Sequence, residues 1–272
     1  FTLAPVPGAI HNSGAKPVFV ECDNDLTIDI HDLEAKAKAS QARFFLISYM
    51  RGHIPNMDRI MDICEKYDLY MIEDCAHTMG AKWRDTHSGR FGKIGCFSSQ
   101  TYKHINSGEG GLLITDDEDV MARAILYSGS YMLYDKHLSR PSLDVFEKYK
   151  KKIPNFSLRM SNLTGALLRP QLENLESDVR EWNRRYRIIE DELRNHPHIR
   201  LIERHDHEKF VGSSFQFLLS GLQTSQLEDF IDACAKRGVE IKWFGWAEPK
   251  GYTSTFDSWQ YLETNVQLSK TN

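Results

Sequence analysis

Short apolar runs alternate with amphipathic stretches through the first half of the chain. Pro17 to Glu21, after Gly14, is β-rich and predicts a strand. Asp29 to Ala39 places Ile30, Leu33 and Ala37 at helical spacing, with Asp29 as the cap. Phe44 to Tyr49 is a continuous apolar strand, and Gly52 to Asn56 is a loop. Met57 to Tyr67 is an amphipathic helix with Ile60, Met61 and Cys64 on one face. Leu69 to Glu73 predicts the next strand, Ile94 to Phe97 another, and Gly111 to Thr115 a third. Asp116 and Asp117 then cap a helix that runs to about Tyr127. Strands alternating with helices imply an α/β fold, a doubly wound domain with a mostly parallel sheet and crossover helices on both faces.

The second half is patterned differently. Ser128 to Pro154 is polar, aromatic and without periodicity, a length at which an irregular segment is often functional, though a solvated surface loop reads the same. Leu163 to His196 predicts two helices meeting near Pro170 to Leu175. The stripe Val179, Trp182, Tyr186, Ile189 and Leu193 is apolar, and Arg180, Arg184, Arg185 and Arg187 between them form a solvated face of a linking helix. Leu201-Ile202, Ser214 to Leu219 and Val239 to Phe244 read as strands, with an amphipathic helix over Thr224 to Arg237. The expected organisation is a large α/β domain over 1–175 and a smaller α+β domain over 176–272.

Composition excludes several classes. The 272 residues carry a formal net charge of −4, and no basic block suggests nucleic acid. The apolar runs are too short to span a bilayer, and no signal peptide opens the chain. Cys22, Cys64, Cys75, Cys96 and Cys234 are odd in number and lack C-x-x-C spacing, which points to reduced thiols in a cytoplasmic protein, not to a metal site or disulfide framework.

Candidate chemistry is concentrated between Met71 and Gly111. One apolar strand ends in Glu73-Asp74; another is followed by Ser98, Lys103 and the turn Gly108-Glu109-Gly110-Gly111. A carboxylate at a strand end can pair with a cationic ring nitrogen. A lysine at the edge of an apolar pocket can form a Schiff base once desolvation lowers its pKa. A hydroxyl before that lysine can bind phosphate. Asp74, Ser98 and Lys103 thus supply three functions that pyridoxal 5'-phosphate requires, and His77 is close enough in sequence to reach the same ring. Taken singly, these residues read equally as a helix cap, a turn serine and a solvated lysine.

The motifs go further. Asp74-Cys75-Ala76-His77 resembles the E-D-x-A-[QH] motif of the DegT/DnrJ/EryC1/StrS family of sugar aminotransferases. Gly95-Cys96-Phe97-Ser98, Thr101-Tyr102-Lys103 and Gly108 to Gly111 resemble its G-x-F-S-x-x-x-x-K-x-x-x-x-G-E-G-G segment. Ala15 to Val20, Arg159 to Leu163 and Gln171 to Leu175 resemble flanking family segments, so the likeness covers nearly the whole chain. It implies a fold type I, pyridoxal phosphate-dependent aminotransferase. Lys103 would hold the cofactor and carry the proton, and Asp74 would pair with the pyridinium nitrogen. His77 would lie against the ring or bond its phenolic oxygen, and Ser98 would bind the phosphate. The implied partners are glutamate or glutamine as donor, a nucleotide-linked keto sugar as acceptor, and a second copy sharing the active site. Family members are longer at both ends, so both termini of this chain are expected to be incomplete.

Three positions depart from the family pattern. Leu3 stands where an aromatic residue often stacks on the ring, and Asn56 replaces an Asp. Ser157, with Asn155 two residues earlier, stands where an Asn often reaches the neighbouring subunit's phosphate. Family members that replace the lysine by His eliminate water from a sugar, and Lys103 argues against that branch. The alternatives are a cyclitol aminotransferase, a sugar dehydratase or a non-catalytic regulatory protein on the same fold. Trp243, Phe244, Trp246 and the 128–154 loop are candidate substrate contacts, although a Trp-Phe-Gly-Trp run reads more readily as packing.

Overall fold

In chain order the first elements are helices α1 (Pro5–Asn12) and α2 (Ile30–Ala39), strand β1 (Phe44–Ser48), helix α3 (Met57–Lys66) and strand β2 (Tyr70–Asp74). The short strands β3 (Lys82–Trp83) and β4 (Thr86–His87) precede β5 (Ile94–Ser98) and β6 (Gly111–Ile114). Helices α4 (Glu118–Ser128), α5 (Leu143–Glu147) and the long α6 (Asn162–Leu193) follow. The last are β7 (Ile199–Leu201), β8 (Glu208–Lys209), β9 (Phe217–Leu219) and α7 (Thr224–Ala235). The structure is a computed structural model and describes residues 2–243 and 259–262.

Two units are formed, one from residues 41–183 and 205–213, the other from the described residues of 1–40, 184–204 and 214–272. The first holds a sheet in the order β1-β2-β5-β6, in which β1, β2 and β5 are parallel and β6 is an antiparallel edge. Parallel neighbours need a crossover, and α3 supplies the one between β1 and β2. Asn56 caps α3 by accepting the Arg59 N–H, and the helix buries Met57, Ile60, Ile63 and Cys64. The expected α/β class is what is found. In the second unit β7 and β9 pair antiparallel, and α7 opens with a capping box between Gln223 and Gln226.

Alternation along β2 separates its last two side chains. Met71 and Glu73 point to a buried side, while Asp74 ends the strand only partly covered. Glu73 is fully buried, and its carboxylate accepts four hydrogen bonds: from the Tyr49 hydroxyl at 2.7 Å and from the N–H groups of Gly89, Phe91 and Gly92 at 2.7, 2.8 and 2.6 Å. A carboxylate out of water is tolerated only with such a full set of donors. Gly92 is obligatory here, because a Cβ would sit 2.5 Å from the Met71 carbonyl oxygen.

Several sequence expectations are corrected. Pro5 and Pro7 open α1, a helix the apolar pattern did not predict, in a first turn where a missing N–H costs nothing. Pro17 to Glu21 joins no ladder, and an isolated bridge between Cys22 and Ile28 follows it. Leu163 to Leu193 is one helix, not two: α6 runs through Pro170, with Gln171 and Asn174 side-chain amides donating to the carbonyls of Leu167 and Pro170. The 128–154 segment is not wholly irregular, since Val145 and Phe146 of α5 pack on Ala122, Ile125 and Leu126 of α4. Val239 to Trp243 forms no strand, and Phe244 and Trp246 lie outside the described residues.

Glu73→Ala is expected to strand four buried donors and lower the unfolding free energy by at least about 3 kcal/mol, whereas Tyr49→Phe, which removes one donor, costs about 1 kcal/mol. Urea denaturation of both variants checks this; equal losses would contradict the four-donor arrangement.

Candidate functional site

The parallel register sets the geometry. Ser48 of β1 lies opposite Asp74 of β2, and Asp74 lies opposite Cys96 of β5, so Ser48, Asp74 and, two residues further along β5, Ser98 end at one edge of the sheet. Carboxyl edges of parallel strands are where such folds assemble their chemistry. The Asp74 carboxylate is fixed on both oxygens: Oδ2 accepts from the Ser48 hydroxyl at 2.7 Å and Oδ1 from the Ala76 N–H at 3.1 Å. Each oxygen keeps a further lone pair for a ligand.

Lys103 comes to this edge from the loop between β5 and β6. That loop is closed on itself by Ser99 N–H to Gly110 C=O, Thr101 N–H to Gly108 C=O and Lys103 N–H to Gln100 C=O. Gly110 has φ +154 and a Cβ there would meet Ser99 Oγ at 2.4 Å, so the turn needs glycine. Ile105 is buried with Met79 and Leu168, which pins the segment just past the lysine. Gln171 of α6 clasps the backbone of Asn106, accepting its N–H at 2.9 Å and donating to its carbonyl at 2.8 Å. The Lys103 Nζ lies 2.7 Å from His77 Nε2.

Electrostatics follow from this packing. Partial burial lowers the Lys103 pKa, the nearby Asp74 carboxylate acts against that shift, and the Arg51 guanidinium adds to it. Burial, with Lys103 next and then Arg51 and His104, pushes His77 down to about 3. Burial and Lys103 push His104 down to about 4. Both imidazoles are therefore neutral at physiological pH. His104 Nε2 and Ser213 Oγ are 2.7 Å apart, and the His104 ring packs on Trp182 with centroids 5.3 Å apart.

The structure thus joins Asp74, His77 and Lys103. Ser98 is partly buried at the end of β5, its hydroxyl oxygen accepting from the Gln100 N–H at 3.3 Å. Ser157, exposed at φ +54, donates to Asn155 Oδ1 from its N–H at 2.8 Å and from its hydroxyl at 3.4 Å. Asn56 serves as a helix cap. Sequence reading missed Ser48, Arg51 and His104. Ser48 is placed by the strand register, which the sequence alone does not give; Arg51 was foreshadowed only by the glycine after it, because a left-handed turn at the end of a strand is a backbone property. His104 had no signal beyond its place next to Lys103.

A family model described as the DegT/DnrJ/EryC1/StrS aminotransferase family matches residues 1–269. GDP-perosamine synthase of Escherichia coli O157:H7 is 29% identical over 172 residues, covering 63% of this chain and 44% of that protein. GDP-4-keto-6-deoxy-D-mannose 3-dehydratase of Escherichia coli O55:H7 is 30% identical over 239 residues, covering 84% of this chain and 60% of that one. The solved structure of E. coli GDP-4-keto-6-deoxy-D-mannose-3-dehydratase with bound hydrated PLP superposes with a TM-score of 0.72 at 26% identity, over 85% of this chain and 60% of that chain. The chain spans about half the length of the curated relatives it matches.

His77 and His104 titrate below their ordinary value of 6.5, so unfolding takes up protons between pH 6.5 and about 3. Their burial therefore costs stability increasingly as pH falls through that window. His77→Gln is expected to flatten the acid limb of a stability profile measured by urea denaturation over roughly pH 4 to 7; an unchanged limb would contradict a buried neutral imidazole.

Proposed function

The chain belongs to the DegT/DnrJ/EryC1/StrS aminotransferase family, and from that premise we propose that it is a pyridoxal phosphate-dependent enzyme transferring an amino group from glutamate or glutamine to a keto sugar carried on a nucleotide. The observation that carries the reading is the amine of Lys103 held 2.7 Å from a neutral imidazole beside the Asp74 carboxylate. These residues fit the cofactor: an amine with a lowered pKa for its carbonyl, an oriented carboxylate with spare lone pairs for its ring nitrogen, and hydroxyls for its phosphate. When bound, pyridoxal phosphate supplies an electrophilic carbonyl and a ring that accepts carbanion charge.

In this reading Lys103 and Asp74 are the catalytic residues. Lys103 Nζ holds the cofactor, and once free it moves the proton from the donor's Cα as general base and returns it as general acid. The Asp74 carboxylate, oriented by Ser48 and the Ala76 N–H, keeps a proton on the ring nitrogen. His77 contacts the cofactor ring or its phenolic oxygen, and Ser98 donates to the phosphate. GDP-linked sugars are a natural substrate class, given that the relatives above are named for GDP-perosamine and GDP-4-keto-6-deoxy-D-mannose. The resemblance to a 3-dehydratase supports a second reading, elimination of water from the sugar; Lys103, where that branch carries His, favours amino transfer.

The reading includes a homodimer. Phe156, Leu158, Leu163, Leu167 and Leu172 are exposed apolar side chains from 156–172, Leu163 at 73%. Ser157 lies among them and bonds Asn155, which is consistent with its serving the phosphate site of a second copy. A cytoplasmic location is in keeping with five free cysteines; among the described residues no helix is long and apolar enough to cross a membrane.

The purified full-length protein is expected to show a visible absorption band that borohydride abolishes and that is missing in Lys103→Ala. With glutamate and a GDP-linked 4-keto sugar it should release 2-oxoglutarate. A protein that remains colourless with added cofactor would sink the reading, and a sugar product that has lost a hydroxyl and gained no nitrogen, read by mass spectrometry, would select the dehydratase. Leu163→Glu combined with Leu167→Glu is expected to convert a dimer to monomer in sedimentation velocity; a wild-type monomer would remove the shared-site element.

A further inference from the structure

The hydrogen bonds around His77 carry proton information. Tyr49 to Gly52 follows β1 as a tight turn in which Arg51 has φ +57 and Gly52 φ +91, both left-handed. Only glycine fits at 52, where a Cβ would sit 3.1 Å from the His77 carbonyl oxygen and 3.2 Å from that of Val211. This turn points the Arg51 backbone N–H at His77 Nδ1, 3.0 Å away. A nitrogen that accepts an N–H offers its lone pair and carries no proton of its own. Burial, the largest cause of the low His77 pKa, disfavours an imidazolium independently of the charge on Lys103, and in the neutral imidazole the single ring proton must then reside on Nε2. Nε2 is the atom 2.7 Å from Lys103 Nζ. A ring N–H cannot hydrogen-bond to an ammonium, because the ammonium has three donors and no lone pair.

We propose that the Arg51 backbone N–H sets the tautomer of His77, so that His77 Nε2–H donates to Lys103 Nζ and holds Lys103 as the neutral amine ready to attack a carbonyl. An ammonium has no lone pair for that attack, so the arrangement prepares the nucleophile before any carbonyl arrives. His77 is thereby a positioning residue for Lys103, and the Arg51 turn positions His77 in turn. The assignment deepens the role of Lys103 in the reading above and rests on that reading only for its purpose.

The other charged and titratable groups facing Lys103 act in both directions. The Arg51 guanidinium and partial burial disfavour an ammonium, while the Asp74 carboxylate at the end of β2 favours one. His104, neutral and turned to Ser213, adds no charge. With Asp74 opposing, the hydrogen bond from His77 to the neutral form acts in the same sense as burial.

The test needs neither cofactor nor substrate. Full-length protein is dialysed against hydroxylamine to strip any bound aldehyde. The ring nitrogens are then read by histidine nitrogen-15 spectra, and Lys103 by competitive acetylation with acetic anhydride, quantified by mass spectrometry against exposed lysines of the same chain. His77 is expected as the Nε2–H tautomer at neutral pH, and Lys103 as more reactive than exposed lysines there. His77→Phe, confirmed folded by its melting curve, is expected to slow Lys103 about fivefold, the size of one net hydrogen bond. His77→Gln, whose amide offers an N–H to Nζ, restores the rate. Arg51→Gly keeps the backbone N–H and leaves the tautomer unchanged. An Nδ1–H tautomer, an imidazolium at neutral pH, or His77→Phe reacting as fast as wild type would overturn the proposal. Because no turnover is measured, these outcomes stand apart from whether the protein transfers amino groups.

Discussion

The unit that holds the site depends on one buried carboxylate. Glu73 is out of contact with water and is balanced by one hydroxyl and three backbone N–H groups. Those donors come from the residue after β1 and from the loop leading into β5, so a single side chain ties three strands of the sheet at one level. Asp74 is the next residue, and its placement is inherited from that tie. The charge that stabilises the scaffold and the charge that faces the site are adjacent in sequence but on opposite sides of the strand. A buried charge is worth its desolvation only with complete partners, and here the partners are also what fixes the geometry of the edge.

From that edge the chemistry is assembled by backbone more than by side chains. Asp74 is oriented by an N–H and a serine, His77 by an N–H from a left-handed turn, and Lys103 by a closed loop whose neighbour Ile105 is buried. Each contact limits where a proton can sit. The chain belongs to the DegT/DnrJ/EryC1/StrS aminotransferase family, and two of the relatives it matches are named a GDP-perosamine synthase and a GDP-4-keto-6-deoxy-D-mannose 3-dehydratase.

Much of this was legible in the residues. The apolar runs at 44–49, 69–73 and 94–97 became β1, β2 and β5 within a residue or so, because an apolar run of strand length bounded by polar loops is a readable signature even where only alternate side chains are fully buried. Asp29 and Asp117 announce helix starts through their side-chain oxygens, while Asn56, read as a loop residue, caps α3 in the same way. The Asp74, His77 and Lys103 grouping was readable through the resemblance of their motifs to a family pattern, since the residue types alone read equally as a cap and a surface lysine. What failed did so for physical reasons. Pro170 reads as a break, yet a long helix with packing on both sides of it absorbs one lost donor. Pro17 to Glu21 has strand composition but gains no neighbour to pair with, and pairing is a property of the fold, not of the segment. Ser48 and Arg51 act through register and backbone conformation, which composition does not carry.

The clasp of Gln171 on Asn106 holds the lysine loop by main-chain atoms alone. Ile105 anchors the same loop by an apolar side chain two residues past the lysine. Neither contact consults the identity of residue 103. The scaffold is therefore indifferent to which reactive group it presents, and selection can exchange that group without rebuilding the loop. A substitution at 103 would then change the reactive group while leaving the contacts that hold its loop in place.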